Sequence, residues 1–269
     1  PEHFYLIDSG VGSTDNVNLL RLPTARLDGL LLTHFHSDHI AEIYEVNLGS
    51  WVNGRPAPLT VFGPRGVDEV VEGINASYRQ DRIYRVGHHG EALLAPTLGV
   101  LDHETIEPGV ILDDGQLKIT AYVGEHPPIE PAVGYRFDYR GRSVVISGDS
   151  NVSDSTRQIT EGADLLLHDA LSLPTLTALS AALGAAGQTR LAKIVTDVTD
   201  YHASTESLVE LGKQSNVGMI GYYHLVPVPA NPIIKAVFMR GAPENFVLTE
   251  DLMWFELPID SDEIIVHRP

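Results

Sequence analysis

The sequence predicts a mixed α/β (α+β) chain in which two sheets, or one split sheet, are faced by helices on the outside. Short apolar strands recur in both halves of the 269 residues, and helical patterns interrupt them throughout. No fixed-period repeat, low-complexity tract or long linker divides the chain, so residues 1–269 read as a single domain. With 43% hydrophobic residues and a mean hydropathy of -0.01, it fits a soluble globular protein whose core can support an enzyme.

The strands of the first half are "FYLID" (4–8), "GLLLT" (29–33), "LTVFG" (59–63), "LKITAYV" (117–123), "VGYRFDY" (133–139) and "SVVISGD" (143–149). The last two flank Arg140 and Gly141 and predict a hairpin. A helix is expected from Ile40 onward, and Val67, Val70, Val71, Ile74 and Tyr78 define a second with one buried stripe. The stretch between Tyr78 and Leu101, with His88 and His89, reads as a surface loop, with a lid over the site as the alternative, and Arg79, Arg82 and Arg85 read as an ordinary solvated face beside Asp81 and Glu91. Beyond them come a strand "ADLLLHDA" (163–170), Ala-rich helices over 174–199, a capped helix "STESLVELGKQ" (204–214) and a buried strand "VGMIGYYH" (217–224).

The formal charge is -18 and the pI about 4.9, so a long phosphate backbone meets net repulsion and nucleic acid is not expected as a partner. The absence of cysteine excludes disulfides, thiolate metal sites and a cysteine nucleophile. No apolar stretch approaches the roughly 20 residues that cross a bilayer, so no membrane is expected. The opening "PEHFYLIDSG" lacks the pattern of a signal peptide and runs straight into a strand. First strands upstream of residue 1 are therefore expected, with cytoplasm and periplasm both open as locations.

The stretch "LLLTHFHSDHIAEI" (30–43) concentrates the chemistry. A strand ending at Thr33 delivers His34, His36, Asp38 and His39 into a turn. His34 and His36, two apart, point the same way off an extended backbone, while Asp38 and His39 begin a helix and aim elsewhere. One turn can thus serve two ions, and imidazole with carboxylate suits zinc, iron or manganese. Further ligands are expected at strand ends, where a rigid scaffold fixes their direction. His126, Asp149 and His224 are each a metal-competent residue at the close of an apolar run.

The HxHxDH motif at 34–39, the later His126, the Asp149 of "SGDS" and the late His224 resemble the metallo-β-lactamase superfamily, in its ribonuclease Z-like and arylsulfatase-like branch. The resemblance implies a four-layer αββα sandwich with two mixed sheets. It implies that His34, His36 and His126 hold one ion, that Asp38, His39 and His224 hold the other, and that Asp149 bridges them. Asp8 resembles the family's early structural aspartate, which supports the first loop from behind. Two such ions, most simply zinc, share a hydroxide that attacks an ester without any Ser or Cys.

His202, outside the ligand set and before a capped helix, is the candidate general acid. Relatives in that branch carry a histidine followed by small hydroxyl residues here, and an acidic residue in the segment matching "LLLHDA". Asp169 is thereby implied to orient His202, and Asp38, His202 and Asp169 form the catalytic set. The resemblance also implies a ribonuclease Z arm between the third histidine and the bridging aspartate. Here His126 and Asp149 are 23 positions apart and leave room for a hairpin alone.

The reading reached is a dinuclear hydrolase of a small ester, a phosphodiester, sulfate ester or lactone. Its alternatives are a ribonuclease Z-type RNA-processing nuclease, activity on β-lactams, and a non-enzymatic metal-binding scaffold. Homodimer formation follows only from the habit of the relatives.

Overall fold

The computed structural model describes residues 2–269, in two compact units. The first extends to Glu107 and the second is Pro108–Pro269.

The first unit runs β1 (Tyr5–Ile7), α1 (Ser13–Leu19), β2 (Gly29–Leu31), α2 (Ser37–Ile40), α3 (Ile43–Val52), β3 (Thr60–Gly63), α4 (Val67–Ser77), α5 (Arg79–His89) and β4 (Asp102–Thr105). Its four strands pair in parallel in the order β1-β2-β3-β4. Parallel neighbours need crossovers, and helices supply them. β2 is buried at all three positions, which is why "GLLL" is continuously apolar rather than alternating. Leu30, Leu32, Ile43, Val61, Val67 and Val71 form the core with Val70 and Ile74 packed against it, so the expected stripe on α4 faces inward except at Tyr78, which follows the helix and is exposed. Residues 79–89 correct the expected loop: they form α5, an amphipathic helix with no fully buried residue. Tyr44 of α3 donates to the Asp81 carboxylate at 2.6 Å and stacks on Tyr78 at 3.7 Å, tying this helix to α3.

The second unit runs β5 (Gly109–Asp113), β6 (Leu117–His126), β7 (Ile129–Tyr139), β8 (Arg142–Ile146), α6 (Asp154–Thr160), β9 (Leu165–Leu171), α7 (Leu173–Ala185), α8 (Thr189–Asp197), α9 (Thr205–Gln214), β10 (Met219–Val226), α10 (Pro232–Phe238), β11 (Phe246–Leu248), β12 (Trp254–Glu256) and β13 (Ile265–His267). Seven strands form one sheet in the order β11-β10-β9-β8-β7-β6-β5. β5 to β8 are an antiparallel meander and β8 to β11 are parallel. The hairpin at Arg140 and Gly141 forms as expected, with positive φ at both positions (49 and 80), the geometry of a tight two-residue turn. Val145, Leu166, Leu208, Leu211, Ile220, Tyr222 and Phe246 build the core. α9 is capped by Ser204, whose side chain accepts from the Ser207 N–H.

The register of this sheet fixes one edge. Ile146 of β8 lies level with Leu167 of β9, and Leu167 with Gly221 of β10. Asp149, Asp169 and His224 stand three, two and three residues beyond that line, and His126 closes β6 toward the same edge. His224 is also the extra residue of a bulge, because Tyr223 pairs with Asp169 and Leu225 already pairs with Ala170. Its φ is 44, and a bulge at this point re-aims a side chain that regular pairing would send across the sheet.

Candidate metal centre

In the first unit the donors lie on the turn after β2. The Leu32 N–H still bonds the Phe62 carbonyl at 2.8 Å, and from Thr33 the backbone leaves the sheet. His34 is fully buried, with Nδ1 3.1 Å from Thr33 Oγ1 and Nε2 3.0 Å from His36 Nδ1. Asp8 holds this turn from behind, as the resemblance implied. Its carboxylate accepts from the Thr33 N–H and hydroxyl at 2.8 Å each and from His39 Nδ1 at 2.7 Å. Any coordination by His39 therefore runs through Nε2, which lies 3.8 Å from Asp38 Oδ2.

Two further contacts lock the turn. Ser9 N–H bonds the His39 carbonyl at 2.7 Å and Glu42 N–H bonds the Ser9 carbonyl at 2.8 Å. A Cβ on Gly10 would lie 1.9 Å from the Asp38 carbonyl oxygen, so only glycine fits beneath the motif. Glu42 in turn accepts the Gly12 and Thr14 N–H groups at the start of α1, at 2.8 and 2.9 Å. Burial pushes its carboxyl pKa up, but these N–H donors outweigh burial and hold it below the usual carboxylate range. A depressed folded-state value stabilises the fold above the unfolded value of about 4.3 and loses that contribution as pH falls through the folded value. Glu42→Gln is thus expected to lower Tm at pH 7, with the gap to the unaltered protein narrowing below about pH 4. Thermal melts across that range check this, and a gap that is constant with pH contradicts it.

In the second unit the donors gather on the sheet edge described above. His126 is buried, and its Nδ1–H donates to the Tyr201 carbonyl at 2.9 Å, leaving Nε2 as the ligand atom. Asp149 is 3% exposed, with Oδ1 3.4 Å from His224 Nδ1 and Oδ2 3.9 Å from His202 Nε2. Two donors about 2.1 Å from one tetrahedral cation lie about 3.4 Å apart, which is the spacing of the His224–Asp149 pair. In both units the donors are imidazole and carboxylate alone, and the histidines are buried or held by an oriented neighbour. That chemistry fits a divalent ion such as zinc, iron or manganese.

Asp169 and His202 form a separate contact. Asp169 Oδ2 lies 2.8 Å from His202 Nδ1 across 33 positions of sequence. Both residues are buried, and the Ala203 N–H adds a longer bond to the same oxygen at 3.3 Å. His202 Nδ1 therefore carries a proton and Nε2 faces Asp149. The Tyr201 carbonyl and Ser150, whose N–H reaches Asp169 Oδ1 at 3.2 Å, were not foreseen; both act through the backbone, which leaves no signal in a sequence. His168 is a fully buried strand residue whose Nδ1 bonds the Asp169 backbone carbonyl at 2.9 Å. Beside His224 lies a cavity of about 450 Å³, lined in part by Tyr223, Val228, Lys235, Thr249 and Glu250.

A family model described as a beta-lactamase superfamily domain matches residues 3–218. Ribonuclease Z of Mycobacterium bovis (strain BCG / Pasteur 1173P2) is 33% identical over 226 residues, covering 83% of this chain and 76% of that protein. Among solved structures, the metallo-β-lactamase fold protein YhfI from Bacillus subtilis has a TM-score of 0.64 at 17% identity, covering 93% of this chain and 85% of that one. Human tRNase Z, short form, has a TM-score of 0.61 at 18% identity over 95% of this chain and 88% of that one. These likenesses bear out the expected αββα fold class. Relatives named ribonuclease Z overturn two expectations, that nucleic acid is an unlikely partner and that the substrate is a small-molecule ester. The -18 charge is a sum over the whole chain and does not describe the field at one sheet edge, where cations would reverse it. No helix among the described residues is long and apolar enough to cross a membrane.

Proposed function

The chain belongs to the β-lactamase superfamily domain family, as a ribonuclease Z-like member of the metallo-β-lactamase superfamily of hydrolases, and on that premise we propose that it hydrolyses phosphodiester bonds in RNA. One observation carries the reading furthest: a buried His202–Asp169 pair stands beside Asp149 on the edge that also presents His126 and His224. We take the two units as halves of a single domain, because one family model spans residues 3–218 across both. In that domain His34, His36 and His126 hold one divalent ion, Asp38, His39 and His224 hold a second, and Asp149 serves both. Zinc is the first ion to test, with iron and manganese accepted by the same donors.

Bound ions of this kind supply Lewis acidity and bring the pKa of water toward neutrality, so that no side-chain nucleophile is needed. The chain's own residues do the rest. When water adds to phosphorus it gives up one proton to solvent, and as the P–O bond to the departing ribose oxygen breaks that oxygen takes the proton from His202 Nε2, which solvent then restores. Asp169, through Oδ2, keeps Nδ1–H pointed inward and stabilises the imidazolium from which the proton leaves. Asp8 and the Tyr201 carbonyl hold His39 and His126 in the tautomers that present Nε2.

The test uses the full chain loaded with zinc or manganese. Its substrates are an RNA hairpin with a single-stranded 3′ extension, unstructured RNA, the DNA counterparts, and chromogenic sulfate, lactone and cephalosporin esters. RNA cleavage that a chelator abolishes and added metal restores is the expected result. Turnover of a sulfate ester or lactone with all RNA left intact overturns the reading.

A further inference from the structure

β9 carries two adjacent ionisable residues, His168 and Asp169, and both side chains are fully buried. Successive side chains of a strand point to opposite faces, so neighbours do not ordinarily touch. Here they do. His168 Nδ1 lies 2.8 Å from Asp169 Oδ1 and 2.9 Å from the Asp169 backbone carbonyl.

Two backbone N–H groups and two imidazole nitrogens therefore converge on one carboxylate, with the His168 N–H directed to the Asp169 backbone carbonyl as well. Oδ1 takes His168 Nδ1 at 2.8 Å and the Ser150 N–H at 3.2 Å, while Oδ2 takes His202 Nδ1 at 2.8 Å and the Ala203 N–H at 3.3 Å. The two short contacts come from the two imidazoles, one on each oxygen. The N–H contacts at 3.2 and 3.3 Å are too long to fix the carboxylate plane alone, since hydrogen bonds weaken as they lengthen. A backbone carbonyl would satisfy a buried histidine just as well; the contact to Oδ1 is what links this ring to chemistry. An apolar residue among Leu165, Leu166, Leu167, Ala170 and Leu171 would be the simpler occupant, because the buried imidazole leaves its Nε2 without a hydrogen-bond partner among the described residues, a cost in free energy that the contacts of Nδ1 must offset.

We propose that His168 is a positioning residue for proton transfer by His202. By holding Asp169 Oδ1, it fixes the plane of the carboxylate, and so the direction in which Oδ2 receives His202 Nδ1–H. His168–Asp169–His202 is then one buried chain that ends at the Nε2 facing Asp149. The inference rests on the hydrolase reading above for its consequence, although the chain of contacts stands by itself.

His168→Leu removes the donor, and His168→Asn offers an amide N–H close to where Nδ1 stands. Both are made in the unaltered protein and in a His202→Ala background, with metal content measured for each. Cleavage of an RNA hairpin with a single-stranded 3′ extension, whose departing ribose oxygen must be protonated, falls roughly ten- to a hundredfold in kcat for His168→Leu with KM little changed, as expected for loss of acid orientation. His168→Asn recovers most of that loss, and in the His202→Ala background either change has little further effect. A downfield His202 Nδ1 proton resonance is present in the unaltered protein and in His168→Asn and lost in His168→Leu.

The inference is overturned if His168→Leu keeps full turnover and the resonance, or if its loss persists at equal size in the His202→Ala background, which marks a purely structural role. The resonance needs no substrate. An inactive but metal-loaded protein that shows it would defeat the hydrolase reading and leave the positioning contact standing.

Discussion

His202→Ala lowers kcat by roughly 10²- to 10⁴-fold, the usual contribution of a general acid, and leaves metal content at the level of the unaltered protein. The expectation follows from geometry. His202 Nδ1 is committed to Asp169 Oδ2 at 2.8 Å, and the side chain is 6% exposed, so the ring has one working nitrogen and little freedom to reorient. That nitrogen, Nε2, stands 3.9 Å from Asp149 Oδ2, beside the proposed ions rather than within their ligand set. Steady-state kinetics with a phosphodiester, paired with elemental analysis, checks both halves. Ligand-competent atoms of Asp149, Asp169 and His202 lie within 4.8 Å of one another, so a variant that loses metal together with activity would make His202 a ligand.

The second large effect is expected at Asp149. Asp149→Ala is expected to bring metal content from two ions per chain to one or fewer, and turnover to the uncatalysed level. The carboxylate is 3% exposed and faces two imidazoles, and a buried charge of this kind must be paired or bound to a metal. Because it is assigned to both ions, its removal leaves neither with a complete set of donors. Retention of two ions and of turnover within about tenfold would show that the ligand assignment is wrong.

Much of this was legible because strand ends leave a strong trace. An apolar run with His or Asp a few positions on marks a strand and a side chain near its end: His126 closes β6, Asp149 stands three residues past β8, and His224 lies two residues before the end of β10 at Val226. The HxHxDH turn needs no long-range knowledge, since its donors lie within six positions. What stayed hidden depends on register or on backbone atoms. The Asp169–His202 pairing, 33 positions apart, was implied by the resemblance alone, because no local pattern links a residue of β9 to one before α9. The bulge at His224 is a backbone event with no residue signature. β4, "DHET", is exposed at all four positions and pairs with β3 through main-chain bonds, so hydrophobic patterning could not reveal it. α5 escaped because its arginines and histidines outweigh a thin apolar stripe. The substrate was misjudged for a different reason: total charge was used as a proxy for a local field.

The proposal most open to test is that His34, His36, Asp38, His39, His126, Asp149 and His224 would together hold two metal ions. Its most direct test is a crystal structure of the metal-loaded protein, with diffraction recorded on either side of the metal absorption edge. Two anomalous peaks roughly 3.5–4 Å apart are expected, with Asp149 touching both, one set completed by His34, His36 and His126 and the other by Asp38, His39 and His224. A single peak, or two peaks ligated from one unit alone, would contradict the account.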